Sequence, residues 1–164
     1  MGSEALPLHN SGIYKNLPTF SPDLKDLTAI VTGANGISGF HTLRALLDSP
    51  QRWSKVYTLS RRAPPQAMLD LLTPEQRSRV QFVSADFLND PKDIAKAMTD
   101  AGVKADYVFF YSYLQPKPPP GTGPWSNAEE LVKVNEAIFG NFLKALEAAE
   151  VRPKRVLLQT GAKN

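Results

Sequence analysis

Cysteine is missing from this chain altogether, and its 164 residues include only two histidines, His9 and His41. A disulfide framework and a thiolate metal site are therefore excluded, and no histidine cluster can form, so metal-dependent catalysis is not expected. No apolar stretch approaches the ~20 residues that a membrane-crossing helix needs. The first residues also lack a basic segment followed by an apolar one, so the expectation is a cytoplasmic protein with no membrane partner. Met1-Gly2 invites myristoylation, but Leu6 stands where that signal calls for Ser or Thr. Basic residues number 19 against 16 acidic ones, a formal charge of +3 with no long basic run and little interleaving of aromatics. Nucleic acid is accordingly not expected as a partner.

What is present is an alternation. With 42% hydrophobic residues the chain can bury one core of its own, and two domains would be crowded. Residues 1–26 carry Pro7, Pro18 and Pro22 without periodicity and read as an arm, lying over the domain or disordered, ahead of a domain spanning 27–164. Strand-like apolar runs fall at 28–31, 56–59, 80–83, 107–111 and 156–158. Helices are predicted from the glycines after the first run to about 48, near 66–72, and at about 91–99, with Asn89 or Asp90 as cap and Pro91 in its first turn. A fourth, between 127 and 150, carries the stripe Leu131, Val134, Ile138, Phe142, Ala145 at three- and four-residue intervals. Five parallel strands joined by right-handed helical crossovers make an α/β doubly wound Rossmann sheet of order 3-2-1-4-5.

Between the first strand and the first helix stands Thr32-Gly33-Ala34-Asn35-Gly36-Ile37-Ser38-Gly39. Strand, glycine turn and helix in that order make a cradle for a dinucleotide pyrophosphate. Gly33 can take a turn conformation that other residues resist, Gly36 admits close approach of a phosphate, and Gly39 lets the helix pack near its strand. The free N–H groups of the helix start, around Ile37 and Ser38, would face the phosphates. The spacing is G-x-x-G-x-x-G, and the bland alternative is a glycine-rich turn that binds nothing.

The second strand ends Leu59-Ser60-Arg61-Arg62, where a carboxylate for the adenosine ribose would suit NAD. Two guanidiniums there suit a ribose 2′-phosphate, which favours NADP(H); the alternative is a pair of solvated arginines. After the third strand, Asp86 is placed to accept from the adenine amine and Phe87 to cover the ring, unless Asp86 simply starts a turn. Tyr111 and Ser112, at the end of the fourth strand, and Gln159, after the fifth, complete the candidate cofactor contacts. Residues 115–124, with five prolines and two glycines, form either a lip over the nicotinamide end or a stiff connection without chemical consequence.

Together, Gly33 to Gly39, Ser60-Arg61-Arg62, Ala85-Asp86-Phe87, Phe110-Tyr111 and Leu158-Gln159-Thr160-Gly161-Ala162-Lys163 resemble the progesterone 5β-reductase/iridoid synthase-like group of atypical short-chain dehydrogenases, in the style of fungal members often encoded near secondary-metabolite genes. The resemblance covers about residues 28–164. It implies an NADPH-dependent oxidoreductase that reduces a carbonyl, or a carbon–carbon double bond conjugated to one, in a small-molecule substrate. It assigns Lys163 to the nicotinamide ribose and to the support of a catalytic tyrosine, which in related proteins lies further downstream. Only the nucleotide half of that family is represented, so the expectation is a short or truncated form.

Tyr113 and Lys117 spell the Y-x-x-x-K of ordinary short-chain dehydrogenases, but Pro116 and Pro118-Pro119-Pro120 forbid the helical turn that would bring them together. Asn135, on the long helix, resembles an asparagine that many superfamily members carry. Two alternatives stay open beside the reductase: a catalytically inactive NADP(H)-binding module, and a nucleotide-sugar epimerase or dehydratase. If later elements normally cover the edge of the fifth strand, self-association through that edge is expected.

Overall fold

A computed structural model describes residues 6–123 and 126–161. The strands β1 (Leu27–Thr32), β2 (Trp53–Ser60), β3 (Val80–Ser84), β4 (Tyr107–Phe110) and β5 (Arg155–Leu158) form one parallel sheet in the order β3-β2-β1-β4-β5. The helices are α1 (Ile37–Leu47), α2 (Gln66–Leu69), α3 (Pro74–Ser78), α4 (Pro91–Asp100) and α5 (Ala128–Ala148). Both the sheet order and the α/β class are those predicted from the alternation.

The two faces of the sheet carry separate apolar layers, because successive strand residues point to opposite sides. On one face Ala29, Val31 and Val56 meet Phe40, Leu43 and Leu47 of α1. On the other, Ile30, Leu59 and Val108 meet Ile94 and Met98 of α4 and Ile138, Phe142 and Ala145 of α5. Covered on both faces, β1 reads as a continuous apolar run rather than an alternating one. Of the predicted stripe on α5, Leu131 and Val134 are half-buried and the rest is buried.

Two elements differ from expectation. Strand β2 starts three residues earlier, at Trp53, whose buried indole meets Tyr107 and Phe109 edge-on across the sheet. The single helix predicted near 66–72 is two: α2 ends at Leu69, Leu72 drops into the core at 2% exposure, and α3 begins afresh. The break follows from Pro74, which disfavours a helical Thr73. Thr73 sits extended at φ −65°, ψ 159°, and closes a reciprocal capping box with Gln76.

Ahead of β1, residues 7–19 fold back on themselves, with Thr19 N–H donating to Pro7 O at 2.7 Å and His9 N–H to Leu17 O at 2.9 Å. The Arg52 guanidinium lies 3.9 Å from the centre of the Phe20 ring. At the amino end of the sheet, Asp106 accepts from Thr28 N–H at 2.9 Å and pairs with Lys154 at 3.1 Å, linking β1, β4 and β5. All four residues of β5 are exposed, with Val156, Leu157 and Leu158 at 38%, 46% and 44%. Among the described residues no helix is long and apolar enough to cross a membrane.

Candidate functional site

The carboxyl ends of β1, β2, β3 and β4 converge on a cavity of about 450 Å³. Its floor and walls are Gly33, Asn35 and Gly36 after β1, Ser60 to Arg62 after β2, Ala85 to Leu88 after β3, and Tyr111 to Leu114 after β4, with Ile138 of α5 behind. Ten predicted cofactor residues thus lie on one surface: Gly33, Asn35, Gly36, Ser60, Arg61, Arg62, Asp86, Phe87, Tyr111 and Ser112. Ile37, Ser38 and Gly39 belong to the start of α1 but do not line the cavity, and neither does Gln159, whose N–H donates to Phe110 O at 3.2 Å. Lys163, with the end of the segment that carries it, lies outside the described residues.

The turn is built as glycine chemistry requires. Gly33 has φ +66°, and a Cβ there would stand 3.0 Å from both C and O of Tyr111. At Gly39 a Cβ would meet Gly33 O at 2.3 Å, so α1 comes within backbone contact of the turn. No side chain caps α1 at Gly36 and no acidic residue stands in its first turn, whereas Asp90 caps α4 by accepting from Lys92 N–H. The positive end of the α1 dipole therefore borders the cavity at Gly36, with no acidic side chain in the first turn to offset it.

Side chains fix the walls to one another. The Thr32 hydroxyl oxygen, fully buried, accepts from two consecutive N–H groups, Tyr111 at 3.0 Å and Ser112 at 3.1 Å. Thr42 of α1 donates to the Tyr111 hydroxyl at 2.8 Å. Asn135 of α5 grips the Leu114 peptide from both sides, accepting from its N–H at 2.9 Å and donating to its carbonyl at 2.8 Å. Asn127 donates to Pro116 O at 3.2 Å, which holds the start of the proline-rich connection against the same helix.

At the β2 end, Arg61 and Arg62 are exposed, and neither enters an ion pair among the described residues. Asp86 accepts from Leu88 N–H through Oδ1 at 3.0 Å, and its carbonyl accepts from Asn89 N–H, so it does start the turn into α4 while it lines the cavity. Phe87 is 5% exposed and packs against Phe110 and Phe142, so its ring forms the floor and not a cover. The Tyr113–Lys117 segment is not helical, and the Tyr113 hydroxyl donates to Gln115 Oε1 at 2.9 Å.

Leu88, Tyr113, Leu114 and Ile138 line the cavity without having been expected there. A signal existed for Tyr113 and Leu114, which directly follow β4 at its carboxyl end. The role of Thr32 had only a faint one, a hydroxyl that closes the apolar run Ala29-Ile30-Val31 just before the glycine turn.

Comparisons with known proteins agree with this geometry. The model of the NAD dependent epimerase/dehydratase family matches residues 29–163. The chain is 29% identical over 138 residues to the short chain dehydrogenase gsfE of Penicillium aethiopicum, covering 83% of this chain and 32% of that protein. It is 33% identical over 138 residues to the uncharacterized protein C757.02c of Schizosaccharomyces pombe, covering 82% and 29%. The chain therefore spans about a third of the length of these curated relatives. Among solved structures, a short chain dehydrogenase from Burkholderia cenocepacia in complex with NADP is similar at a TM-score of 0.51 and 25% identity, over 77% of this chain and 48% of that one. With its sheet order, its glycine turn and a family match over residues 29–163, the chain belongs to the NAD dependent epimerase/dehydratase family, within the short-chain dehydrogenase/reductase superfamily.

Proposed function

We propose that this chain is the NADPH-binding portion of a reductase of the progesterone 5β-reductase/iridoid synthase-like type, acting on a carbonyl or on a carbon–carbon double bond conjugated to one. The observation that carries the reading is the joint placement, around one cavity of about 450 Å³, of the glycine turn and of two arginines that have no ionic partner among the described residues. The Burkholderia relative, which holds NADP, supports the choice of cofactor.

The residues present fit such a group. Gly33, Gly36 and the uncapped start of α1 supply the backbone approach and positive dipole that a pyrophosphate needs. Arg61 and Arg62 supply charge-assisted donors for a 2′-phosphate, and Asp86 keeps Oδ2 available beside the adenine end. Strand order supports a direction: β2 and β3 lie on one side of β1 and β4 on the other, so with the adenosine end at the arginines the nicotinamide half would run toward Tyr111, Ser112 and Leu114. When bound, the nicotinamide supplies the hydride. The chain's own part is to bind and orient, with Lys163 assigned by resemblance to the ribose beside the ring.

A module that binds NADP(H) without chemistry is the second reading. The two tyrosines on the cavity wall already have their hydroxyls engaged, Tyr111 with Thr42 and Tyr113 with Gln115, and neither bonds a lysine among the described residues. The same engagement, in a non-helical segment, disfavours the helical tyrosine–lysine pair used in epimerase and dehydratase chemistry.

Calorimetric titration of the 164-residue chain with NADPH and NADH, beside Arg61→Ala, tests the proposal. Saturable NADPH binding that weakens about tenfold or more in the variant is expected. Absence of binding in a chain shown to be folded by circular dichroism overturns it.

A further inference from the structure

The Asn35 side chain sits within the phosphate turn, yet its amide is spent elsewhere. Nδ2 donates to Arg62 O at 2.9 Å and reaches Ala63 O at 3.4 Å. Its Oδ1 stands 3.2 Å from the Ser60 hydroxyl, whose nearer acceptor, at 2.6 Å, is again Arg62 O. Two donors from different segments thus converge on one carbonyl. Downstream, Pro64 and Pro65 stiffen the chain, and Pro64 is buried. The exposed Arg61–Ala63 turn, which follows directly on the half-buried end of β2 at Ser60, is therefore held at its outgoing peptide by Asn35 and at its exit by proline, with no helix or strand of its own.

We infer that Asn35 is a positioning residue that sets the preference for a 2′-phosphorylated dinucleotide by locking the arginine turn to the phosphate turn. The inference deepens the proposed NADPH site and rests on it. A long arginine gains from binding phosphate only what remains after its own conformational freedom is lost. With Arg62 O fixed, the backbone from which both guanidiniums project is already ordered before the cofactor arrives, so the loss on binding is confined to the side chains. Because the anchor is the phosphate turn, the pyrophosphate and 2′-phosphate subsites keep a constant separation. NADH makes no use of the arginine turn and is indifferent to the lock.

The test is the ratio of NADPH to NADH dissociation constants for the 164-residue chain and for Asn35→Ala, with Ser60→Ala as a second variant that removes the other donor to Arg62 O. Asn35→Ala is expected to weaken NADPH about tenfold and NADH less than about twofold, with a smaller change of the same sign in Ser60→Ala. A merely structural role would weaken both dinucleotides together. Equal weakening, or an unchanged ratio in both variants, overturns the inference while leaving the NADPH site standing. Wild-type chain that binds neither dinucleotide, or both equally, overturns the cofactor reading itself, and the inference with it.

Discussion

Gly39 and Gly33 are in backbone contact across the start of α1: a Cβ on Gly39 would stand 2.3 Å from the Gly33 carbonyl oxygen. No rotamer relieves such a clash, because the obstacle is main chain. Gly39→Ala is therefore expected to push α1 away from the turn, costing about 1–3 kcal/mol of stability. For a chain of this length that is a fall in melting temperature of roughly 3–10 °C. The calorimetric signal for NADPH should vanish at temperatures where the variant is still folded.

Thr32 invites a swap that preserves shape and removes the acceptor. Thr32→Val leaves the N–H groups of Tyr111 and Ser112 without their acceptor beside a fully buried position. Unfolding by urea should show a loss of roughly 2–4 kcal/mol, whereas Thr32→Ser, which keeps the oxygen, should retain most of the stability. A loss in Thr32→Val no larger than that in Thr32→Ser would show that the hydroxyl acceptor is not the main source of the stabilisation.

Arg79 is a stabilising residue of another kind. Its guanidinium donates to Leu47 O, where α1 ends, to Trp53 O at 3.1 Å, where β2 begins, and to Glu75 at 2.8 Å. The side chain is 12% exposed while Glu75 is 64% exposed, so the carbonyl bonds matter more than the ion pair. Arg79→Ala should cost about 2 kcal/mol, and Glu75→Ala at most about 1 kcal/mol, in the same denaturant series.

Asp106 gives stability a pH dependence of known sign. The Thr28 N–H bond, and with it the Lys154 ammonium, holds the carboxyl below its ordinary range despite partial burial. A depressed carboxyl stabilises the fold fully above its unfolded value of about 4, and that stabilisation is lost as pH falls through the lower folded value. Asp106→Asn should therefore destabilise by about 1–2 kcal/mol at pH 7, and the gap to wild type should close in acid. A gap that stays constant down to pH 2 would exclude the carboxylate as its source.

The strands and long helices were legible because each answers to a local pattern: continuous apolar runs for strands enclosed on both faces, and a three- and four-residue stripe for α5. The split of α2 from α3 was written in Thr73-Pro74-Glu75-Gln76, a proline start with a capping box, but α3 buries no residue and so left no periodicity to read. The floor position of Phe87 was also legible in principle. Val83, Ala85 and Phe87 are all buried while Ser84 is exposed and Asp86 is not buried, so the inward alternation of β3 continues three residues past the strand. The clamps made by Thr32, Asn35 and Asn135 were not legible. Each joins side chain to backbone across 21 to 80 residues, and polar bonding over such separations has no period in the chain.

The exposure of β5 divides the sheet into a slow side and a fast side. Amides in β1, enclosed by layers on both faces, can exchange with solvent only when the whole domain opens, whereas those in β5 need only local fraying, with little apolar surface to re-expose. Between them, β4 is paired to both. The cavity wall from Tyr111 to Leu114 is tied to Thr32 on the slow side and to Asn135 of α5, so fraying of β5 can run up to Phe110 and stop there. The cavity wall is thus expected to stay ordered while the outer strand frays, a difference that amide exchange would read.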